Sequence, residues 1–136
     1  MDERSTEQPS VDAHGIRPPD AYGIAVREPV AGAAVLALAG EFDLAAAEAL
    51  RAQLDLARAT AERGVVLDLA EVTFVDSAGL RELLRAHGAL ASERKGLVLT
   101  GLQAPVIRLL ELTGATDMLV TAPTLQRALT LLDAQP

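Results

Sequence analysis

A chain of 136 residues is long enough for one domain around a single hydrophobic core. Half of it is hydrophobic, yet Tyr22, Phe42 and Phe74 are the only aromatics, so that core has to be built from Leu, Val, Ile and Ala. A formal charge of −7, no Trp and no Cys exclude a basic nucleic-acid face, a base-stacking platform, disulfides and thiolate metal sites.

Residues 1–20 carry charge, Ser, Gln and Pro with almost nothing to bury, and a disordered leader is expected there, with His14 inside it. No stretch of 18 apolar residues occurs and the acidic start does not resemble a signal peptide, so a soluble, cytoplasmic chain is expected. Tyr22 to Glu28 alternates weakly and predicts an edge strand, followed by a turn at Pro29 and Gly32. Ala34 to Leu38 predicts a second strand running into Gly40-Glu41-Phe42-Asp43. From Leu44 to Ala61 the apolar residues recur every three or four positions, which predicts a helix with Asp43 as N-cap and Gly64 as its C-terminal stop.

Val65 to Val75 is rich in β-branched and aliphatic residues and predicts a buried strand. At Asp76-Ser77-Ala78-Gly79 the period changes. Leu80, Leu83, Leu84, His87 and Leu90 then mark one face of a helix, whose exposed side is expected to carry Arg81, Glu82, Arg85, Ala89, Ser92 and Glu93. Leu97 to Thr100 predicts a fourth strand. A third helix is expected at about 103–112 with Val106, Ile107, Leu109 and Leu110 buried. Met118 to Val120 predicts a short fifth strand. Thr121 is expected to cap a last helix with Pro123 in its first turn and Leu125, Ala128, Leu129 and Leu132 inside. One hairpin followed by strand–helix alternation gives an α/β domain with a mixed sheet.

The junction 76–79 is the stretch with chemical potential, because ligands and partners of open α/β sheets bind outside the carboxyl ends of the strands. Asp76 or Ser77 can cap the helix, with Gly79 easing the turn. Alternatively, a serine exposed at a helix start can be phosphorylated, which adds charge without unfolding the domain. A nucleophilic serine is excluded on two grounds. Val75 stands where the hydrolase elbow needs Gly, and His87 lies about 15 Å along the same helix. No phosphate-binding Gly-rich loop is present, and Lys95 is the sole lysine. Glu41, Asp43, Asp68 and Asp76 are explained by capping and solvated strand ends more simply than by a metal.

The segment LDLAEVTFVDSAGL closely resembles the signature of STAS domains, in particular the bacterial anti-sigma factor antagonists. Ala39 to Asp43, Gly96 to Leu99 and Arg108 to Gly114 agree in order and spacing, so the resemblance spans about 22–134 and assigns 21–136 to one such domain. It implies a four- to five-stranded mixed sheet with about four helices packed mainly on one side. It implies a non-enzymatic protein without cofactor or metal that binds an anti-sigma factor, itself an ATP- and Mg²⁺-dependent serine kinase, to release a sigma factor. Phosphorylation of Ser77 would end that binding and a serine phosphatase would restore it. The partner surface so implied comprises Asp43, Asp76, Ser77, Ala78, Gly79, Leu80, Arg81 and Arg85, with no nucleic acid and no direct membrane contact. A subunit of a stress-sensing scaffold, a subunit of a lipid or anion transporter, and a small-molecule or nucleotide sensor are the alternatives.

Overall fold

The computed structural model describes residues 21–134; the expected leader and His14 lie outside them. The chain forms β1 (Tyr22–Val26), β2 (Ala33–Phe42), α1 (Leu44–Thr60), β3 (Gly64–Val75), α2 (Ser77–Ser92), β4 (Gly96–Thr100), α3 (Ala104–Thr113), β5 (Val120–Ala122) and α4 (Leu125–Ala134). The sheet runs in chain order from β1 to β5. Only β1–β2 is antiparallel, joined by a tight turn in which Ala31 and Gly32 both take positive φ, the geometry of a hairpin turn that matches strand twist. The other pairs are parallel, each linked through a helix.

Period-two alternation sorts the strand residues between two faces. Leu36, Leu38, Leu67, Leu69, Leu97 and Leu99 join Leu50 and Leu54 of α1, Leu83 and Leu90 of α2, and Val106 and Leu110 of α3 in the larger core. Val35, Val66, Val98 and Ala122 point the other way and meet Ala128 and Leu132 of α4. Three helices on one face and one on the other fit the expected architecture, and β4, covered on both faces, is buried along its whole length.

Several local expectations shift. Gly64 does not stop α1, which ends at an extended Ala61. It opens β3 instead, at φ 140°, where a Cβ would lie 2.1 Å from the Gly96 carbonyl oxygen; two facing glycines let β3 and β4 start side by side. Gly114 ends α3 in the left-handed region and the chain takes one 3₁₀ turn at Ala115–Asp117, which moves the fifth strand on to Val120–Ala122 and leaves Met118 half-exposed. Thr121 therefore sits in that strand. The cap of α4 falls to Thr124, whose hydroxyl accepts from the Arg127 amide at 3.1 Å, and Pro123 precedes it. Ile107, expected inside, is 40% exposed.

The free ends of these elements are tied together by Arg63. Its guanidinium donates to both carboxylate oxygens of Asp133 (3.0 and 2.8 Å) and to the carbonyls of Ala31 and Leu129 (2.7 Å each). One side chain thus joins the β1–β2 turn and the last turns of α4 to the start of β3.

Candidate partner-binding surface

β2 and β3 end side by side, with Phe42 paired to Val75, and each strand passes through one aspartate into a helix. Asp43 and Asp76 both hold extended backbone as N-caps. The Asp43 carboxylate accepts from the Ala46 amide at 3.2 Å. That of Asp76 accepts from the amides of Ala78 (2.9 Å) and Gly79 (3.0 Å). The two junctions are also joined directly, since the Asp76 amide donates to the Phe42 carbonyl at 3.1 Å. Two helix N-termini therefore open next to each other at the carboxyl edge of the sheet. Each cap stabilises its helix by about 1 kcal/mol.

This arrangement decides between the two capping candidates. Asp76 makes the cap bonds, and Ser77 becomes the first residue of α2, exposed to solvent. Gly79 has a different role from the one expected. A Cβ on it would lie 2.5 Å from the Phe42 carbonyl oxygen and 3.0 Å from a Val75 methyl, so glycine is required by the close approach of α2 to the end of β2 rather than by a tight turn.

The remaining residues of the expected surface divide by burial. Arg81 is exposed, Ala78 is half-buried, and Leu80 belongs to the larger core. Arg85 is half-buried and turned toward α1, donating to Glu82 (2.9 Å) and to Asp55 (3.0 Å). The hydrogen bond to Glu82 raises the Arg85 pKa above its ordinary value; partial burial opposes this, and Asp55 adds to it. Glu82 itself is only 9% exposed, which corrects its placement on the outer face of α2. The helix turns this carboxylate inward because Arg85, three residues on, supplies its counter-charge.

Sequence reasoning missed two exposed apolar residues at these junctions. Leu44, at the start of α1, is 76% exposed, and Phe74, just before the β3 terminus, is 46% exposed. Strict alternation from Val72 would turn Phe74 inward. The β2–β3 register slips between Gly40 and Glu41, Thr73 is bulged out, and Val75 becomes the inward partner of Phe42. The only available signal was the spacing of three between Val72 and Val75. Elsewhere, Asp68 accepts from the Ala70 amide at 2.9 Å. Among the described residues, no group of His, Asp or Glu is placed to hold a metal ion, and no helix is long and apolar enough to cross a membrane.

A mixed five-stranded sheet with two aspartate-capped helices starting side by side at its carboxyl edge defines a small α/β domain. The family profile described as "Mlab, STAS domain" matches residues 24–121, and the chain belongs to the STAS domain family. An anti-sigma-B factor antagonist of Listeria monocytogenes is 36% identical over 84 residues, which cover 60% of this chain and 72% of that protein. Among solved structures, an anti-sigma factor antagonist from Mycobacterium paratuberculosis superposes with a TM-score of 0.75 at 29% identity, over 86% of this chain and 98% of the other. The Bacillus cell fate determinant SpoIIAA in its phosphorylated form shares the fold, with a TM-score of 0.62 at 20% identity over 81% and 99% of the two chains.

Proposed function

We propose that this protein is an anti-sigma factor antagonist whose partner surface is built on the two helix starts and switched at Ser77. The observation that carries this reading is the division of labour at the junction: Asp76 makes the cap bonds while Ser77 stands exposed beside it. The relatives named above support the general role. In this reading an anti-sigma factor with ATP- and Mg²⁺-dependent serine kinase activity docks over Ser77, Arg81, Leu44 and Phe74. The two exposed apolar side chains supply contact area, and the serine hydroxyl is presented to the kinase.

Phosphorylation adds about −1.5 to −2 charges at Ser77. The first turn of α2 tolerates an anion, because the helix dipole favours negative charge there. The docked partner does not. A dianion next to Asp76, pressed against an apolar contact, has to be desolvated without a counter-charge. A serine phosphatase then resets the surface.

The test is a pull-down from native lysate with Ser77→Ala as bait and Ser77→Glu as control, followed by phosphorylation of the wild-type chain by the captured protein. A kinase enriched on the Ala bait that phosphorylates Ser77 is the expected result. Equal binding of that kinase to both baits would reduce Ser77 to a structural position. A transporter ATPase or other STAS proteins on both baits would keep the fold and overturn the function.

A further inference from the structure

A concavity lies at the carboxyl ends of β4 and β5, between α3 and the start of α4. It has a volume of about 410 Å³ and none of the Ser77 surface residues lines it. Its walls are Leu102, Ile107, Leu110 and Ala122, with the threonines Thr116 and Thr121 beside them. Clefts that hold small molecules measure about 300–1,000 Å³ and combine an apolar lining with a few polar groups. Their usual place in an open α/β sheet is outside the carboxyl ends of parallel strands, which β4 and β5 are.

Ile107 adds a separate observation. It lies next to the buried Val106 on α3, yet its side chain is 40% exposed because it faces this cleft instead of the sheet. The lining contains no Asp, Glu, Lys, Arg or His, so a charged ligand would find no counter-charge among these walls. We propose that this cleft is a binding site for a small neutral molecule with an apolar body and one hydrogen-bonding head. The body lies against Ile107, Leu102 and Leu110, and the head meets a hydroxyl of Thr116 or Thr121. The site depends on the fold alone and stands whether or not Ser77 is a switch.

The experiment is an amide NMR titration of the full chain with 1-octanol, and with octanoate as the charged analogue of similar length. Octanol is expected to shift the amides of Gly101, Leu102, Thr116 and Thr121 saturably. Octanoate should bind at least about tenfold more weakly, since its carboxylate has no partner there. Ile107→Arg, at an exposed position, should abolish the octanol shifts, whereas Leu56→Arg, an exposed leucine on α1 outside the cleft, should leave them intact. Non-saturable shifts, shifts that survive Ile107→Arg, or octanoate binding as tightly as octanol would each overturn the proposal.

Discussion

Helix α2 contains two glycines that should respond to the same substitution with opposite signs. A Cβ at Gly88 meets nothing within 4 Å, so Gly88→Ala only reduces backbone freedom in the unfolded chain and should stabilise by about 0.5–1 kcal/mol. At Gly79 the Cβ would sit 2.5 Å from a backbone oxygen, that of Phe42, which cannot rotate away as a side chain could. Overpacking of this kind costs about 1–3 kcal/mol, and a backbone obstacle places Gly79→Ala in the upper part of that range. The helix-propensity gain offsets part of it, leaving a net loss of about 1–2 kcal/mol and a separation of about 1.5–3 kcal/mol between the two variants. Urea denaturation followed by far-UV circular dichroism reads this directly. With a slope of about 1–2 kcal/mol per molar, the midpoints should lie about 1–3 M apart on either side of wild type. A Gly79→Ala midpoint at or above wild type, with an unchanged slope, would falsify the claim that α2 is wedged against the end of β2. That wedge is what fixes the position of Ser77.

Three further outcomes are expected. Asp76→Ala removes both cap bonds and should lower stability by about 1 kcal/mol in thermal or urea unfolding, with Asp76→Asn recovering most of it. Arg63→Ala breaks two charge-assisted bonds to carbonyls and should cost about 1–3 kcal/mol, whereas Asp133→Asn, which touches only the exposed ion pair, should cost less than about 1 kcal/mol in the same assay. Leu44→Ala should leave the unfolding free energy within about 0.5 kcal/mol, because the side chain is largely exposed. Isothermal titration against the captured anti-sigma factor should nonetheless show affinity lower by about tenfold, the loss of one apolar anchor of roughly 1.4 kcal/mol.

The order of elements was legible because the apolar period switches cleanly between two and 3.6, and because Asp43 and Asp76 mark helix starts by their chemistry. What was not legible depended on contacts between distant segments. Gly64 reads as a helix stop until Gly96 is known to face it. The shift of the fifth strand follows from a single 3₁₀ turn after Gly114, which no hydropathy pattern announces. Glu82 looks like an outward charge on its own helix, but it pairs with Arg85 three residues on, and the packing of α2 beside α1 brings Asp55 to that same guanidinium. Phe74 is misplaced by a bulge at Thr73 that shows only in the pairing of β3 with β2.

In the proposed reading, the junction separates stability from recognition, residue by residue. Leu80 and Gly79 bind α2 to the core, Asp76 satisfies its first amides, and Arg85 ties it to α1. None of these tasks falls to Ser77, Arg81 or Leu44, which face outward. A phosphate on Ser77 meets competition from Asp76 for the amides of Ala78 and Gly79, so its charge cannot be absorbed into the helix cap and stays at the surface. That is the property a reversible contact switch requires. Had Ser77 been the cap, modifying it would have loosened α2 itself, and the signal would have been coupled to partial unfolding. With the cap one residue earlier, the proposed modification would leave the cap and the core packing in place and change only what a partner meets.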